Sequence, residues 1–409
     1  MSPAGGVLSS RPYLVACLKV RREFDIAASL VDMRTRLRLG ALLMALSLLP
    51  ALLSGCASLN RQYQALLVLG DLSAGSGESR LKRRSEPPRR EGGHYVRQGR
   101  AYQADLYHPR EPSRGSLLLV HGFTEQGRRD PRLVALAMTL GRVGFTVMVP
   151  ELEGLRDYSI STREVEAIVD AIRHATWAAP EAPSRTAVAA VSFAVGPALI
   201  AAMDEAVAHR VSFVVAVGGY YDMTDMLRYV TTGEDRGGAG RAAPPPQREA
   251  RWAVLLSQLH WLEDEQDRAL LETIARRRLA DPEAPVAGEA RRLGASGRAL
   301  YELVTNQDPG RVEALIARLP PSLVRELEAL DPSRRALDSL QARLVLIHGP
   351  QDRVIPVSHS RRLRDALPPG QARLFEAGAL QHVAVSPGWR DGWGLWRALV
   401  HVLALGEGE

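Results

Sequence analysis

An α/β fold, a doubly wound and mostly parallel sheet with an inserted helical lid, is predicted by three features of this 409-residue sequence. Short, nearly continuous apolar runs recur from residue 116 to residue 347, stretches of helical periodicity separate them, and one interval of about 125 residues is too long for a crossover helix. Strands that are apolar on both faces belong to a parallel sheet covered by helices on each side. Their alternation with helices gives the doubly wound arrangement.

Taken in order, YVRQGRAYQADLYHP (95–109) reads as a hairpin pair of strands. The runs SLLLV (116–120), FTVMV (145–149), AVAAV (187–191), FVVAV (213–217) and RLVLI (343–347) are the buried strands, and Ala372–Phe375 is the last. Helical periodicity covers Pro131–Val143, Ser161–Trp177, Val195–Ala208, Ser358–Leu367 and Trp389–Leu405. The long interval holds a Gly/Pro-rich loop, Gly233–Gln247, and polar-faced helices at Glu249–Leu262, Asp264–Arg278 and Arg311–Ala317. It divides the core into 93–222 and 341–409, with the lid over 223–340. The charged run HWLEDEQDRALLE (260–272) reads as a solvated helix face, and Trp252, Trp261, Trp389, Trp393 and Trp396 read as packing residues.

Composition, 46% hydrophobic and 24% charged, is that of an ordinary globular protein, yet the net charge is +6. That charge is localised. Residues 1–38 carry a net +4 and residues 80–100 a net +6, which leaves the body from 101 onward at about −3. A nucleic-acid-binding body is therefore not expected. The two cysteines, Cys17 and Cys56, make no disulfide framework.

From Met33 the chain reads MRTRLRLGALLMALSLLPALLSGCASLN, three arginines followed by an uncharged apolar run from Leu39 to Leu53 and then small residues. This is the layout of an export signal, and about 15 residues is short for a membrane-spanning helix. Leu53-Ser54-Gly55-Cys56 resembles a bacterial lipobox, which implies that Cys56 is acylated and becomes the first mature residue; the alternatives are an uncleaved anchor or a plain secretory signal, in which Cys56 is incidental. The resulting expectations are residues 1–32 upstream of the true start, a signal peptide at 33–55, a basic tether at 56–92, and a lipoprotein of the cell envelope anchored to a membrane, with the outer membrane one destination. The basic side chains of 80–100 either meet anionic head groups or belong to a solvated tether.

Ser192 follows AVAAV and precedes an alanine-rich helix. It stands at the carboxyl edge of a parallel sheet, where ligands bind, with a helix N-terminus beside it. Either it is a nucleophile on a sharp strand-to-helix turn or it is an ordinary serine where a strand ends. Such a turn requires small residues two before and two after the nucleophile, and here these are Ala190 and Ala194, with Gly196 close by. LLLVHGF places His121-Gly122-Phe123 at the end of another strand. RLVLIHGPQDRVIP (343–356) places Asp352 after a Gly-Pro turn, and FEAGALQHVAV (375–385) places His382 between the last strand and the last helix. His401, within an apolar helix, reads as packed, while His121 and His348 read as structural residues of strand-end turns. No cluster has metal-ligand spacing, and no Gly-rich loop suggests phosphate binding.

With the stretch HGFTEQGRRDPRLVALAMTLGRVGFTVMVPELEGL, residues from about 93 to 405 resemble the α/β-hydrolase superfamily. The order Ser192, Asp352, His382 is its triad order, unlike those of chymotrypsin and subtilisin. The resemblance implies Ser192 as nucleophile, His382 as general base and Asp352 as the acid that orients the imidazole. It also implies an oxyanion hole at Gly122, Phe123 and Phe193, and no cofactor. Asp222, at the end of VVAVGGYYD, is the alternative acid, because some family members take theirs after that strand. The implied activity is that of a serine hydrolase, acting through an acyl-enzyme on the carboxylic ester of a small molecule or lipid. The same triad serves amide, thioester and carbon–carbon bonds. Alanine at both elbow positions also leaves open an inactive envelope lipoprotein that uses the scaffold for binding. Oligomeric state has no signature in the sequence.

Overall fold

The protein is seen here as a computed structural model that describes residues 58–175, 185–238, 243–382, 384–385 and 392–407. The signal segment 33–55 and Cys56 lie outside the described residues. Two compact units are present, Met1–Arg61 and Gln62–Glu409, and the second contains the whole sheet.

Eight strands form one sheet in the order β1-β2-β4-β3-β5-β6-β7-β8. They are β1 Arg89–Arg97, β2 Arg100–His108, β3 Gly115–Val120, β4 Phe145–Pro150, β5 Thr186–Val191, β6 Val211–Val217, β7 Arg343–His348 and β8 Ala372–Glu376. Only β2 runs against its neighbours, and β3 to β8 are mutually parallel. This strand order and polarity define the α/β-hydrolase fold. A two-residue turn, Gln98-Gly99, joins β1 to β2 with both residues at positive φ, 49° and 78°, as the right-handed twist of a hairpin requires. β3 and β4 are buried at every position. Alternate side chains serve opposite faces: Leu118 and Val120 enter one core, Leu117 and Leu119 the other.

Helices cover both faces. α1 spans residues 58–74, and α2 Arg80–Arg84, α3 Pro131–Arg142, α4 Glu153–Arg156, α5 Thr162–Ala175 and α6 Val195–Ala202 follow. The insertion between β6 and β7 contains α7 Met223–Thr232, α8 Ala250–Gln258, α9 Glu265–Ala280, α10 Ala287–Arg291, α11 Ala295–Thr305, α12 Val312–Ile316 and α13 Pro321–Ala329. α14 Val357–Asp365 and α15 Gly392–Gly406 complete the chain. α5, α6 and the insertion share one core through Ile168, Leu199, Leu255, Leu271 and Leu323. α1, α3 and α15 share the other through Val68, Leu140 and Val402.

The insertion is tied to the sheet along its length. Tyr220 Oη donates to Leu330 O at 2.9 Å and Gln247 N–H to Arg353 O at 2.8 Å, while Met223 N–H donates to Asp331 Oδ2 at 3.1 Å and joins the two ends of the insertion. The loop after β4 is fastened to it as well: Ser159 Oγ lies 2.9 Å from His260 Nδ1, Ile160 N–H donates to Ser257 O, and Thr162 N–H donates to the Glu326 carboxylate.

Four expectations need correction. Residues 56–92 do not form a tether: 58–74 are helical, Ala65 and Val68 are buried in the second core, and buried Asp71 accepts hydrogen bonds from Ser79 and Thr139. The first strand begins at Arg89 rather than Tyr95, because its leading residues form an exposed edge without apolar alternation. The helix expected over Val195–Ala208 ends at Ala202, since Asp204 Oδ1 accepts from Ala206 N–H and closes a turn. Trp393 is not a packing residue, being 62% exposed.

Candidate active site

β5 delivers Ser192 to the carboxyl edge of the sheet, where a single 3-10 turn, Ser192–Ala194, leads into α6. The backbone of Ser192 has φ of 58°, the left-handed conformation of a sharp strand-to-helix turn. Ala190 and Ala194 are 1% and 0% exposed, so the elbow closes around methyl groups. The closest approaches occur one turn further on. A Cβ on Gly196 would stand 2.1 Å from Tyr220 Oη, and one on Gly219 would stand 2.3 Å from Val195 Cβ. The glycines that let α6 press against the segment after β6 are therefore Gly196 and Gly219.

Three elements converge on the serine hydroxyl. Ser192 Oγ lies 2.7 Å from His382 Nε2, and His382 Nδ1 lies 2.8 Å from Asp352 Oδ2. A carboxylate only accepts, so Nδ1 carries the proton and Nε2 presents its lone pair to the serine O–H. His382 sits at the turn between the short paired strands β9, Leu380–Gln381, and β10, Ala384–Val385, with φ of 57°. Gly349 brings the acid's turn against this loop, since a Cβ there would stand 2.1 Å from Leu380 O. Gly218, at φ of 60°, lies behind the pair, its missing Cβ 3.5 Å from Asp352 Oδ2 and 3.6 Å from His382 Nδ1. Both glycines were missed from sequence; the signals were Gly-Pro and Gly-Gly immediately after strands.

Asp352 is held from several sides. Its Oδ1 accepts from the N–H groups of Val354 at 2.8 Å and Ile355 at 3.0 Å. His348 Nε2 lies 3.4 Å from Oδ2 and 2.8 Å from Ile355 O, while its Nδ1 meets Ser360 Oγ at 2.7 Å. Burial opposes the carboxylate charge, but hydrogen bonding to His348 and His382 prevails and holds the Asp352 carboxyl well below the usual carboxylate range. It stays ionised at any physiological pH.

The strand-end loop after β3 meets the elbow closely. A Cβ on Gly122 would be 3.0 Å from Val191 O and 3.2 Å from Ser192 Cβ, so this position favours glycine. His121 Nε2 accepts from Leu152 N–H at 3.3 Å, which leaves Nδ1–H to donate to Gly122 O at 2.8 Å. Burial lowers the His121 pKa and keeps the ring neutral, as this arrangement needs. In a trans peptide the C=O and N–H point in opposite directions, so holding Gly122 O on the His121 side aims the Phe123 N–H away from it. The Phe193 N–H belongs to the leading turn of a helix, where amides lack intrahelical acceptors. The rings of Phe123 and Phe193 stack at 5.0 Å, with Tyr158 5.7 Å from Phe123.

Asp222 is placed elsewhere. Its Oδ1 accepts from Asp225 N–H at 2.9 Å as the N-cap of α7, and Oδ2 pairs with Arg362 at 2.8 Å. His401 packs beside Phe375, the ring centroids 5.7 Å apart. His359, not singled out from sequence, is buried on α14 and its Nδ1 accepts from the N–H groups of Tyr221 at 3.2 Å and Asp222 at 3.4 Å. Burial pushes its pKa down to about 3.

No protein-family model matches the chain, and no curated protein matches it. Among solved structures, it is similar to the α/β hydrolase GrgF from Penicillium sp. sh18, at 15% identity over 78% of this chain and 98% of that one, with a TM-score of 0.44. It is similar to a dienelactone hydrolase from Anabaena variabilis, at 13% identity over 78% and 95% of the two chains and a TM-score of 0.39. It is also similar to an acylaminoacyl peptidase from Pyrococcus horikoshii, at 10% identity and a TM-score of 0.41; the match spans 71% of this chain and 37% of the peptidase.

Proposed function

We propose that the protein is a serine hydrolase that cleaves carboxylic esters through an acyl-enzyme. The observation that carries this reading is the hydrogen-bonded series Ser192, His382 and Asp352, whose donor directions run from the serine O–H to the carboxylate. His382 takes the Ser192 proton as Oγ attacks the acyl carbon, and Asp352 stabilises the imidazolium that forms. The N–H groups of Phe123 and Phe193, with the Gly122 backbone close to the serine, receive the developing oxyanion. His382 then returns the proton to the leaving alkoxide, and a water deprotonated by the same ring releases the acid. The aromatic wall of Phe123, Phe193 and Tyr158 favours an apolar ester. Cys56, acylated at the start of the mature chain, would hold the enzyme on a membrane of the bacterial envelope.

The test is labelling of the full chain with a fluorophosphonate probe, beside Ser192→Ala and His382→Ala. Labelling lost in both variants, followed by turnover of p-nitrophenyl esters, is the expected result. A folded wild-type chain that takes up no probe, with or without detergent, would mark the fold as a binding scaffold. Labelling with amide turnover above ester turnover would move the substrate to amides.

A further inference from the structure

Apolar side chains left in water are ordinary when scattered; here two large ones are neighbours. Leu66 on α1 is 54% exposed and Trp393 on α15 is 62% exposed. Trp396 Nε1–H donates to Gln62 O at 3.1 Å, and the backbone of Gly392 lies against Leu69, 3.3 Å from Cδ2 to the position of a Cβ. The first turn of α15 therefore runs beside α1 between Gln62 and Leu69. Leu66 occupies the same helix face as those two, at the i, i+4, i+7 spacing, and Trp393 stacks on Trp396 at 4.6 Å. The core does not need either side chain, since Ala65 and Val68 already face inward.

A basic edge adjoins this face. Of the five residues of α2, Arg80, Arg83 and Arg84 are exposed, while Lys82 turns its ammonium onto Gly75 O, Gly77 O and Asp71. The Arg84 guanidinium lies 5.4 Å over the Tyr63 ring and donates to its hydroxyl, which joins α2 to α1. We propose that the face made by Leu66 and Trp393, edged by Tyr63 and α2, docks on a phospholipid surface with anionic head groups.

Tryptophan and tyrosine rings favour the level of the head groups, and basic side chains are attracted to an anionic leaflet. The apolar run Leu39–Leu53 and Cys56 precede Gln62 closely in the chain. Gly394 lies against Glu376 O at the carboxyl end of β8, so Trp393 stands toward the sheet edge that carries Ser192, while Arg142 at the end of α3 donates to Ser85 O and places the end of α2 toward the opposite edge. The proposal goes beyond the hydrolase reading and does not depend on it.

The experiment places the full chain on vesicles of phosphatidylglycerol and phosphatidylcholine with brominated acyl chains, which quench tryptophan that reaches the hydrocarbon boundary. The expected result is quenching that falls in Trp393→Phe and in Leu66→Asp, and that weakens in Arg80→Glu/Arg83→Glu or on pure phosphatidylcholine. Equal quenching in the full chain and Trp393→Phe would overturn the proposal. So would protection of Trp393 from acrylamide without lipid, which would assign the face to the chain's own apolar run or to a second copy. Thermal unfolding checks that each variant is folded. Turnover of a soluble ester, read in parallel, stays unchanged in Trp393→Phe, so failure of docking and failure of the hydrolase reading give different results.

Discussion

Ser192 Oγ and His382 Nε2, 2.7 Å apart, join two backbones that are both left-handed, at φ of 58° and 57°. Among the described residues only Gln98 and Tyr158 share that conformation without being glycine. Gln98 lies in a hairpin turn; Tyr158 packs on Phe123, beside the elbow. Three of the four strained residues thus gather at one site. A strained residue there costs about 1 kcal/mol or more and persists only where its surroundings hold it.

Ser192→Gly should therefore unfold later than Ser192→Ala. Both lose the hydroxyl, but only glycine removes the strain at φ of 58°. The expected difference is about 1 kcal/mol in favour of glycine, read from urea denaturation of the two variants. Equal stabilities would mean that the elbow is not under backbone strain.

The two candidate acids separate cleanly. Asp352→Asn should lower kcat by about 10⁴-fold, because the amide no longer holds His382 in the tautomer that accepts from serine. Asp222→Asn should leave kcat within a few-fold and lower stability by no more than about 1 kcal/mol, because asparagine still caps α7 and only the Arg362 charge pair is lost. Ester turnover and thermal unfolding of both variants decide the assignment.

Replacing His121 should affect turnover more than binding. In His121→Ala the Gly122 carbonyl loses its donor and the Phe123 amide its fixed direction. We expect kcat to fall by about 10²-fold with KM within a few-fold. A loss of stability with kcat intact would instead make the histidine a packing residue.

Stability should decline on mild acidification. His359 has its folded pKa pushed down to about 3 from an ordinary value of 6.5. Below pH 6.5 the unfolded chain takes up a proton that the folded chain refuses, so this contribution is complete above 6.5 and is lost as pH falls toward 3. The slope reaches at most about 1.4 kcal/mol per pH unit. In His359→Asn the amide oxygen replaces Nδ1 as acceptor, and urea midpoints between pH 7 and pH 5 should vary less than in the parent chain.

The central sheet was legible because β3 to β7 are buried on both faces and leave unbroken apolar runs that no solvent-facing element produces. The edges were not. β1 begins with exposed arginines and glycines, and the apolar residues of α1, Ala65 and Val68 with Leu67, Leu69 and Leu72 beside them, precede a basic stretch whose charge suggested a tether. The charged run at 260–272 hid Asp267, which is buried and accepts from the N–H groups of Gly294 and Gly297 at 2.7 Å, because a carboxylate's distant backbone partners leave no local pattern. Ser192, Asp352 and His382 could each be placed by the strand they follow. The contacts that orient them, from His121, His348, Gly218 and Gly349, depend on loops meeting across the sheet edge.

The ties between the loop after β4 and the insertion bear on how such a protein could diversify. Ser257, His260 and Glu326 hold the segment that carries Tyr158, and Tyr158 packs on Phe123, which stacks on Phe193 in the aromatic wall next to Ser192. Exchanging the whole insertion for that of a relative would release this loop and disturb the wall in the same step. New substrate preferences are more readily acquired by single replacements within the existing helices, so lineages of this protein should vary in the side chains of the insertion while keeping its length and its anchoring residues.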